Sequence, residues 1–154
     1  MSIKNFLTLD SLSRNELESI INRALELKKE TKQGEFKATL NNRVLGMIFE
    51  KSSTRTRVSF ETGMAQLGGH AIYFGQDEVG LGTRESVEDI AKVLERYVDI
   101  IIARVFSHDS LERMAEVTSA PVINALSDRE HPCQALADLL TIRTHVGRLE
   151  GVKV

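Results

Sequence analysis

The feature that most restricts how this chain can fold is an alternation of short apolar runs with longer segments whose apolar residues recur at helical spacing. The runs are Val44-Leu45-Gly46-Met47-Ile48-Phe49, His70-Ala71-Ile72-Tyr73-Phe74, Ile100-Ile101-Ile102-Ala103 and Pro121-Val122-Ile123-Asn124-Ala125. Each is too short for a typical helix. The unbroken apolar character of the first suits a strand buried on both faces, as parallel sheets require. Between them lie helical patterns with start signals. Ser13-Arg14-Asn15-Glu16 is a capping box, followed on one face by Leu17, Ile20, Ile21, Ala24 and Leu25 to about Lys32, with Gly34 as the stop. A second helix follows Ser53 and ends at Gly68-Gly69. Ser86 caps a third bearing Val87, Ile90, Ala91, Leu94 and Tyr97. Asp109 or Ser110 opens a fourth with Leu111 and Met114, and Pro132 opens a fifth that stops at Gly147. The pattern predicts an α/β fold: a three-layer sandwich with a central parallel sheet of about four strands flanked by helices. Residues 75–85 read as a loop, Phe6-Leu7-Thr8-Leu9 as a candidate extended segment, and Gly151-Val152-Lys153-Val154 as the opening of a further strand.

Size and charge narrow the function. A chain of 154 residues can bury a core without disulfides or metals. Its net charge of −2 argues against a general nucleic-acid binder, so any basic site must be local. The single cysteine, Cys133, forms no internal disulfide. No secretory signal is legible at Met1-Ser2-Ile3, and no apolar run nears the roughly 18 residues of a membrane span. A cytoplasmic protein is the expectation. His70, His108 and His145 lack metal-ligand spacing, so no metal is expected.

In parallel α/β sheets ligands bind beyond the carboxyl ends of the strands, and three segments of this chain should meet there. The first is Phe49-Glu50-Lys51-Ser52-Ser53-Thr54-Arg55-Thr56-Arg57-Val58-Ser59-Phe60-Glu61, which joins a strand to a helix. A helix start offers unpaired N–H groups and the positive end of a dipole. Hydroxyls on Ser53, Thr54 and Thr56 with guanidiniums on Arg55 and Arg57 make it an anion cradle, for a phosphate or a carboxylate. It is not a Walker loop, and Gly80-Leu81-Gly82 is not a dinucleotide fingerprint. The second segment is Arg104, a charge at the end of an apolar strand. Alone it reads equally well as a strand end reaching solvent, and convergence with the cradle is what favours a ligand. The third is His131-Pro132-Cys133-Gln134, an imidazole and a carboxamide at a helix start, either able to donate to a carbonyl oxygen. Taken singly, His131 reads as structural and Cys133 as a small packing residue, since its sequence neighbour His131 points elsewhere and no other base is in view.

The stretch 49–61, together with His-Pro-Cys-Gln-Ala-Leu-Ala-Asp at 131–138, resembles the aspartate/ornithine carbamoyltransferase family. The likeness runs from Phe6 through Gly82-Thr83-Arg84-Glu85-Ser86 and Val93-Leu94-Glu95-Arg96-Tyr97 to the end of the chain. Lys51 and Cys133 are closer to its ornithine members than to its aspartate members. The resemblance implies that Ser53, Thr54, Arg55 and Thr56 hold the phosphate of carbamoyl phosphate, with Arg104, His131, Pro132, Cys133 and Gln134 completing the site. It implies catalysis through Arg55, Thr56, Arg104 and His131, with neither a cofactor nor a covalent intermediate, as an ornithine amine attacks the carbamoyl carbon to give citrulline. It also implies a homotrimer in which the loop holding Gly80, Thr83 and Arg84 reaches a neighbouring subunit's site. Many members have Gln where this chain has Gly80, which removes a side chain from that position. Residues 1–150 are then expected to be the carbamoyl-phosphate-binding domain. Residues 151–154 would start a second, ornithine-binding domain, and alone this half would bind but not turn over. An acceptor other than ornithine, such as aspartate or putrescine, and a purely trimer-forming role are the alternatives.

Overall fold

A computed structural model describes residues 4–80 and 84–153. Strands β1 (Val44–Phe49), β2 (His70–Phe74), β3 (Ile100–Arg104) and β4 (Val122–Leu126) form one sheet in the order β2-β1-β3-β4. Every pairing is parallel. Helices α1 (Arg14–Lys32), α2 (Thr54–Gln66), α3 (Gln76–Val79), α4 (Val87–Leu94), α5 (His108–Val117) and α6 (Pro132–Val146) connect and flank them. The chain order turns one way from β1 to β2 and the other way from β3 to β4. The switch between β1 and β3 is where such a sheet opens a crevice at its carboxyl edge.

Side chains alternate across the sheet and sort the core into two layers. Ile48, Ile101, Ala103 and Val122 face α4 and α5, packing with Ile90, Leu94, Leu111 and Met114. Met47, Phe49, Ile102 and Ala125 face the other way and pack with Met64 of α2. Helix α6 lies along β4 and α1 lies against α6. Met47, Ile48, Ile101 and Ile102 are fully inaccessible, which accounts for the near-continuous apolar character of β1 and β3.

Several boundaries differ from the sequence expectation. Residues 75–85 are not all loop: α3 forms inside them, its start satisfied by the Glu78 carboxylate, which accepts from the Gly75 N–H at 2.7 Å. Helix α4 stops at Leu94, and Tyr97, placed by spacing on its apolar face, is 73% exposed. The chain there tightens into three-residue turns, with Tyr97 N–H donating to the Leu94 carbonyl. The Glu95 carboxylate is drawn off to accept from the Ser119 N–H and the Thr118 and Ser119 hydroxyls. Helix α5 begins at His108, one or two residues earlier than expected, because the Asp128 side chain accepts the His108 N–H at 2.8 Å. β4 runs one residue later, from Val122 to Leu126. Phe6 does dock in extended form, bridging Ile123 at the outer edge of β4, but Leu9–Ser11 coil into a 3-10 turn. Of Gly151 to Val154, expected to open a strand, Val154 lies outside the described residues; Gly151 ends a turn in which the Val152 N–H donates to the Leu149 carbonyl, and Val152 and Lys153 belong to no strand.

Candidate functional site

Helix α2 starts where the cradle was expected. Ser53 is its N-cap: its hydroxyl accepts from the Thr56 N–H at 3.4 Å and donates to Thr56 Oγ1 at 3.0 Å. This leaves the first-turn N–H groups of Thr54 and Arg55 without an intrahelical acceptor, at the positive end of the dipole. Because β1 and β3 are neighbours, with Phe49 opposite Arg104 in register, the end of β3 delivers Arg104 beside the start of α2. The β4–α6 connection then brings His131, the N-cap of α6, to the same edge.

The result is a cleft of about 520 Å³ lined by Ser53, Arg55, Thr56, Arg104, His131, Cys133 and Gln134. Seven residues from three separate segments thus meet as the sequence predicted. Thr54 does not line it and is exposed. Pro132 is fully buried as the first residue of α6, where its missing N–H costs nothing, so it shapes the helix start and does not line the cleft.

The electrostatics suit an anion. Among the described residues, neither Arg55 nor Arg104 pairs with a carboxylate, and Arg104 Nε is buried without a hydrogen-bond acceptor. A guanidinium held that way favours a ligand oxygen over an apolar surrounding. His131 Nδ1 accepts from the Gln134 N–H at 3.4 Å, so the neutral ring carries its proton on Nε2 and can donate it. Burial, then the nearby Arg104 charge, holds the imidazolium form down, so His131 titrates below the usual histidine range. It therefore enters the cleft neutral, as a donor and not as a third positive charge beside Arg55 and Arg104.

Arg57 departs from the sequence reading. Its guanidinium stacks 4.0 Å from the centre of the Tyr73 ring, and its Nε donates to Glu61 at 2.9 Å. It faces a second, larger depression of about 1040 Å³ that also takes in Lys51, Ser52, Glu50, Asp77 and Glu78. Volume would favour that depression as the ligand site, but its carboxylates repel an anion and its arginine is already paired. Lys51 there lies over the Phe106 ring, 4.3 Å from its centre, among Glu50, Glu61, Asp77 and Glu78, whereas the smaller cleft gathers two arginines and is lined by no carboxylate. The missed contributors to the smaller cleft are Ser59, Phe60, Leu126 and Ala137. Ser59 was findable, since it sits four residues after Arg55 on α2 and donates to the Arg55 carbonyl at 2.8 Å.

Of the loop predicted to reach a neighbouring subunit, Thr83 lies outside the described residues. Gly80 closes α3 in the left-handed conformation at φ +54°, with the Arg84 side chain folded against it, so that a Cβ at position 80 would fall 2.8 Å from Arg84 Cδ. Glycine takes this conformation without strain, and a side chain at position 80 would have to displace Arg84.

Cys133 is a packing residue. Its Sγ donates to the Asn124 carbonyl at 3.4 Å, and burial pushes its thiol up to about 11. Two results are expected: the native chain reacts with iodoacetamide at pH 8 at least about tenfold more slowly than the urea-unfolded chain, and Cys133→Ala keeps anion affinity within about threefold. Rapid native alkylation followed by mass spectrometry would contradict this.

An anion cradle at the switch point of a parallel α/β sheet, flanked by an arginine and a neutral histidine, has the donors and positive charge that suit a phosphorylated or carboxylated small molecule. The comparisons point to a family with such a domain. Residues 4–144 match the family model described as aspartate/ornithine carbamoyltransferase, carbamoyl-P binding domain. The chain is 53% identical over 154 residues to the ornithine carbamoyltransferase of Hydrogenovibrio crunogenus, covering all of this chain and 51% of that protein. The ornithine carbamoyltransferase structure from Pyrococcus furiosus superposes with a TM-score of 0.95 at 46% identity, over 97% of this chain and 48% of that one. The catalytic subunit of M. jannaschii aspartate transcarbamoylase superposes at 0.90 with 31% identity, over 97% and 50%. The chain belongs to the aspartate/ornithine carbamoyltransferase family, as its carbamoyl-phosphate-binding domain. It spans about half the length of the curated relatives it matches. Among the described residues no helix is long and apolar enough to cross a membrane.

Proposed function

We propose that this chain binds carbamoyl phosphate in the α2 cleft and supplies the carbamoyl-donor half of an ornithine carbamoyltransferase. The observation that carries the reading is the pair of guanidiniums, Arg55 and Arg104, left without carboxylate partners around a helix start, with the Nε2 donor of His131 beside them. In the reaction the ornithine side-chain amine attacks the carbamoyl carbon, forming a C–N bond. The C–O bond to phosphate breaks, the amine gives up a proton, and citrulline and phosphate leave. Thr56, Arg104 and His131 meet the oxygen where charge develops, and Gln134, oriented by its bond to Asp138 at 2.9 Å, addresses the carbamoyl end. Ser53, Arg55, Thr56 and the backbone of Thr54 hold the departing phosphate at the positive end of α2. Rate enhancement then comes from positioning and electrostatics.

Three further elements belong to this reading. A second domain, entered at about residue 151, holds ornithine. The assembly is a trimer in which the segment bearing Gly80 and Arg84 faces a neighbour's cleft. The setting is cytoplasmic arginine metabolism. Ornithine is favoured over aspartate because identity to the ornithine proteins is 36–53% against 29–31% for the aspartate ones. The test is an acceptor assay on the polypeptide extended by its second domain, with ornithine, aspartate and putrescine in parallel. Citrulline is the expected product; carbamoylaspartate or carbamoylputrescine in its place would overturn the ornithine assignment.

A further inference from the structure

His108 is a buried histidine that the cleft does not use. It sits at the start of α5 with 7% of its surface exposed, and its Nδ1 lies 2.8 Å from Ser127 Oγ. Ser127 is the hub of the loop that leads into His131. Its hydroxyl oxygen accepts from Asn124 Nδ2 at 3.3 Å, and its N–H donates to the Glu130 carbonyl at 3.1 Å. Asn124 Nδ2 also reaches the Leu7 and Glu130 carbonyls. The Asp128 carboxylate accepts the His108 N–H, while the Asp128 N–H donates to the Phe106 carbonyl at 3.2 Å. Residues 127–130 are therefore closed on themselves and held to α5 from one side, and the next residue is His131.

The proton positions in this network can be assigned by elimination. Asn124 Nδ2 only donates, so the one hydroxyl proton of Ser127 goes either to His108 Nδ1 at 2.8 Å or to the Glu130 carbonyl at 3.4 Å. The shorter contact takes it. His108 then keeps its proton on Nε2, which has no hydrogen-bond partner and faces Glu112 Oε1 at 3.7 Å. The opposite tautomer would aim a lone pair at that carboxylate, which is unfavourable. His108 thus serves Ser127 as a fixed acceptor, and removing it frees a buried hydroxyl to rebond within the loop.

We propose that His108 is a positioning residue for His131, acting through the hydroxyl of Ser127. It touches no ligand. Its effect is to fix the β4–α6 loop so that the His131 ring stands opposite Arg104 with Nε2 directed into the cleft.

The test uses the 154-residue chain, with two readouts, of which only the second rests on the function proposed above. The first is the ring nitrogen and carbon-proton NMR signals of His131 without ligand. The second is the affinity for inorganic phosphate by calorimetry. His108→Ala is expected to move the His131 ring signals and weaken phosphate binding about tenfold. His108→Asn, whose carboxamide oxygen can stand near the Nδ1 position, should restore both. Ser127→Ala should reproduce the His108→Ala effect, and the double variant should be no worse than either single one. Met114→Ala, a cavity in the same helix away from the loop, should lower the melting temperature yet leave the His131 signals in place. Should His108→Ala fail to fold, Ser127→Ala and His108→Asn decide. The proposal is overturned if His131 signals superimpose on those of the parent in Ser127→Ala or His108→Ala, or if Met114→Ala moves them equally. Loss of phosphate binding in the parent itself would count against the proposed function and leave the His131 readout to decide this inference alone.

Discussion

Arg55→Ala is expected to weaken phosphate and carbamoyl phosphate binding about a hundredfold, the effect of deleting a charge-assisted contact in a half-enclosed site. The helix start survives the substitution, because Ser53 and not Arg55 caps it. The melting temperature should therefore stay within about 2 °C of the parent, since an exposed surface substitution costs little. Arg57→Ala makes the informative contrast. It lies two residues along the same helix and carries the same charge, yet its guanidinium is committed to Glu61 and the Tyr73 ring. Its loss should change affinity less than about threefold. Calorimetry on the two variants side by side separates a site built by geometry from one built by local charge density. Equal losses would mean that the run of basic residues acts only through its summed field.

Phe49→Ala should give the largest loss of stability, about 3–5 kcal/mol, read as a fall of roughly 10 °C or more in melting temperature. Phe49 is the last residue of β1 and 1% exposed; its ring packs 5.2 Å from that of Tyr73, and it stands in register with Arg104. Its removal opens a cavity under the start of α2, where the surrounding strands cannot close in without shifting the ladder. Urea unfolding would measure the change, and a loss below about 1 kcal/mol would show that the layer between sheet and α2 is not close-packed as described.

How far the sequence foretold this arrangement depends on the range of the interaction concerned. β1 and β3 were legible because a doubly covered parallel strand must be apolar along its length, and Met47, Ile48, Ile101 and Ile102 satisfy that without exception; the half-exposed β2, and β4 with its buried Asn124, were legible as short apolar runs set between helical patterns. The cradle was legible because hydroxyl caps act within three residues, as Ser53 does on Thr56. Convergence of Arg104 and His131 followed from the rule for strand carboxyl ends, which needs only topology. Three things were not legible. The division of labour between Arg55 and Arg57 depends on Tyr73, a residue of the neighbouring strand whose ring competes for one guanidinium. The end of α4 depends on Ser119, more than twenty residues away, which captures the Glu95 carboxylate. The loop ahead of His131 depends on His108, which the sequence presented only as a histidine without metal spacing. Each is a long-range side-chain contact, for which local periodicity carries no signal.

The proposed function requires an anion at the start of α2 between Arg55, Arg104 and His131. The most direct measurement is a map of backbone amide, arginine side-chain and imidazole NMR shifts as inorganic phosphate is added to the chain. Saturable shifts are expected at the amides of Thr54, Arg55 and Thr56, at the Arg104 side chain and at the His131 ring, with Lys51, Tyr73 and Phe106 unmoved. Shifts centred on the depression lined by Lys51, Arg57 and Tyr73, or no saturable shift at the start of α2, would contradict it.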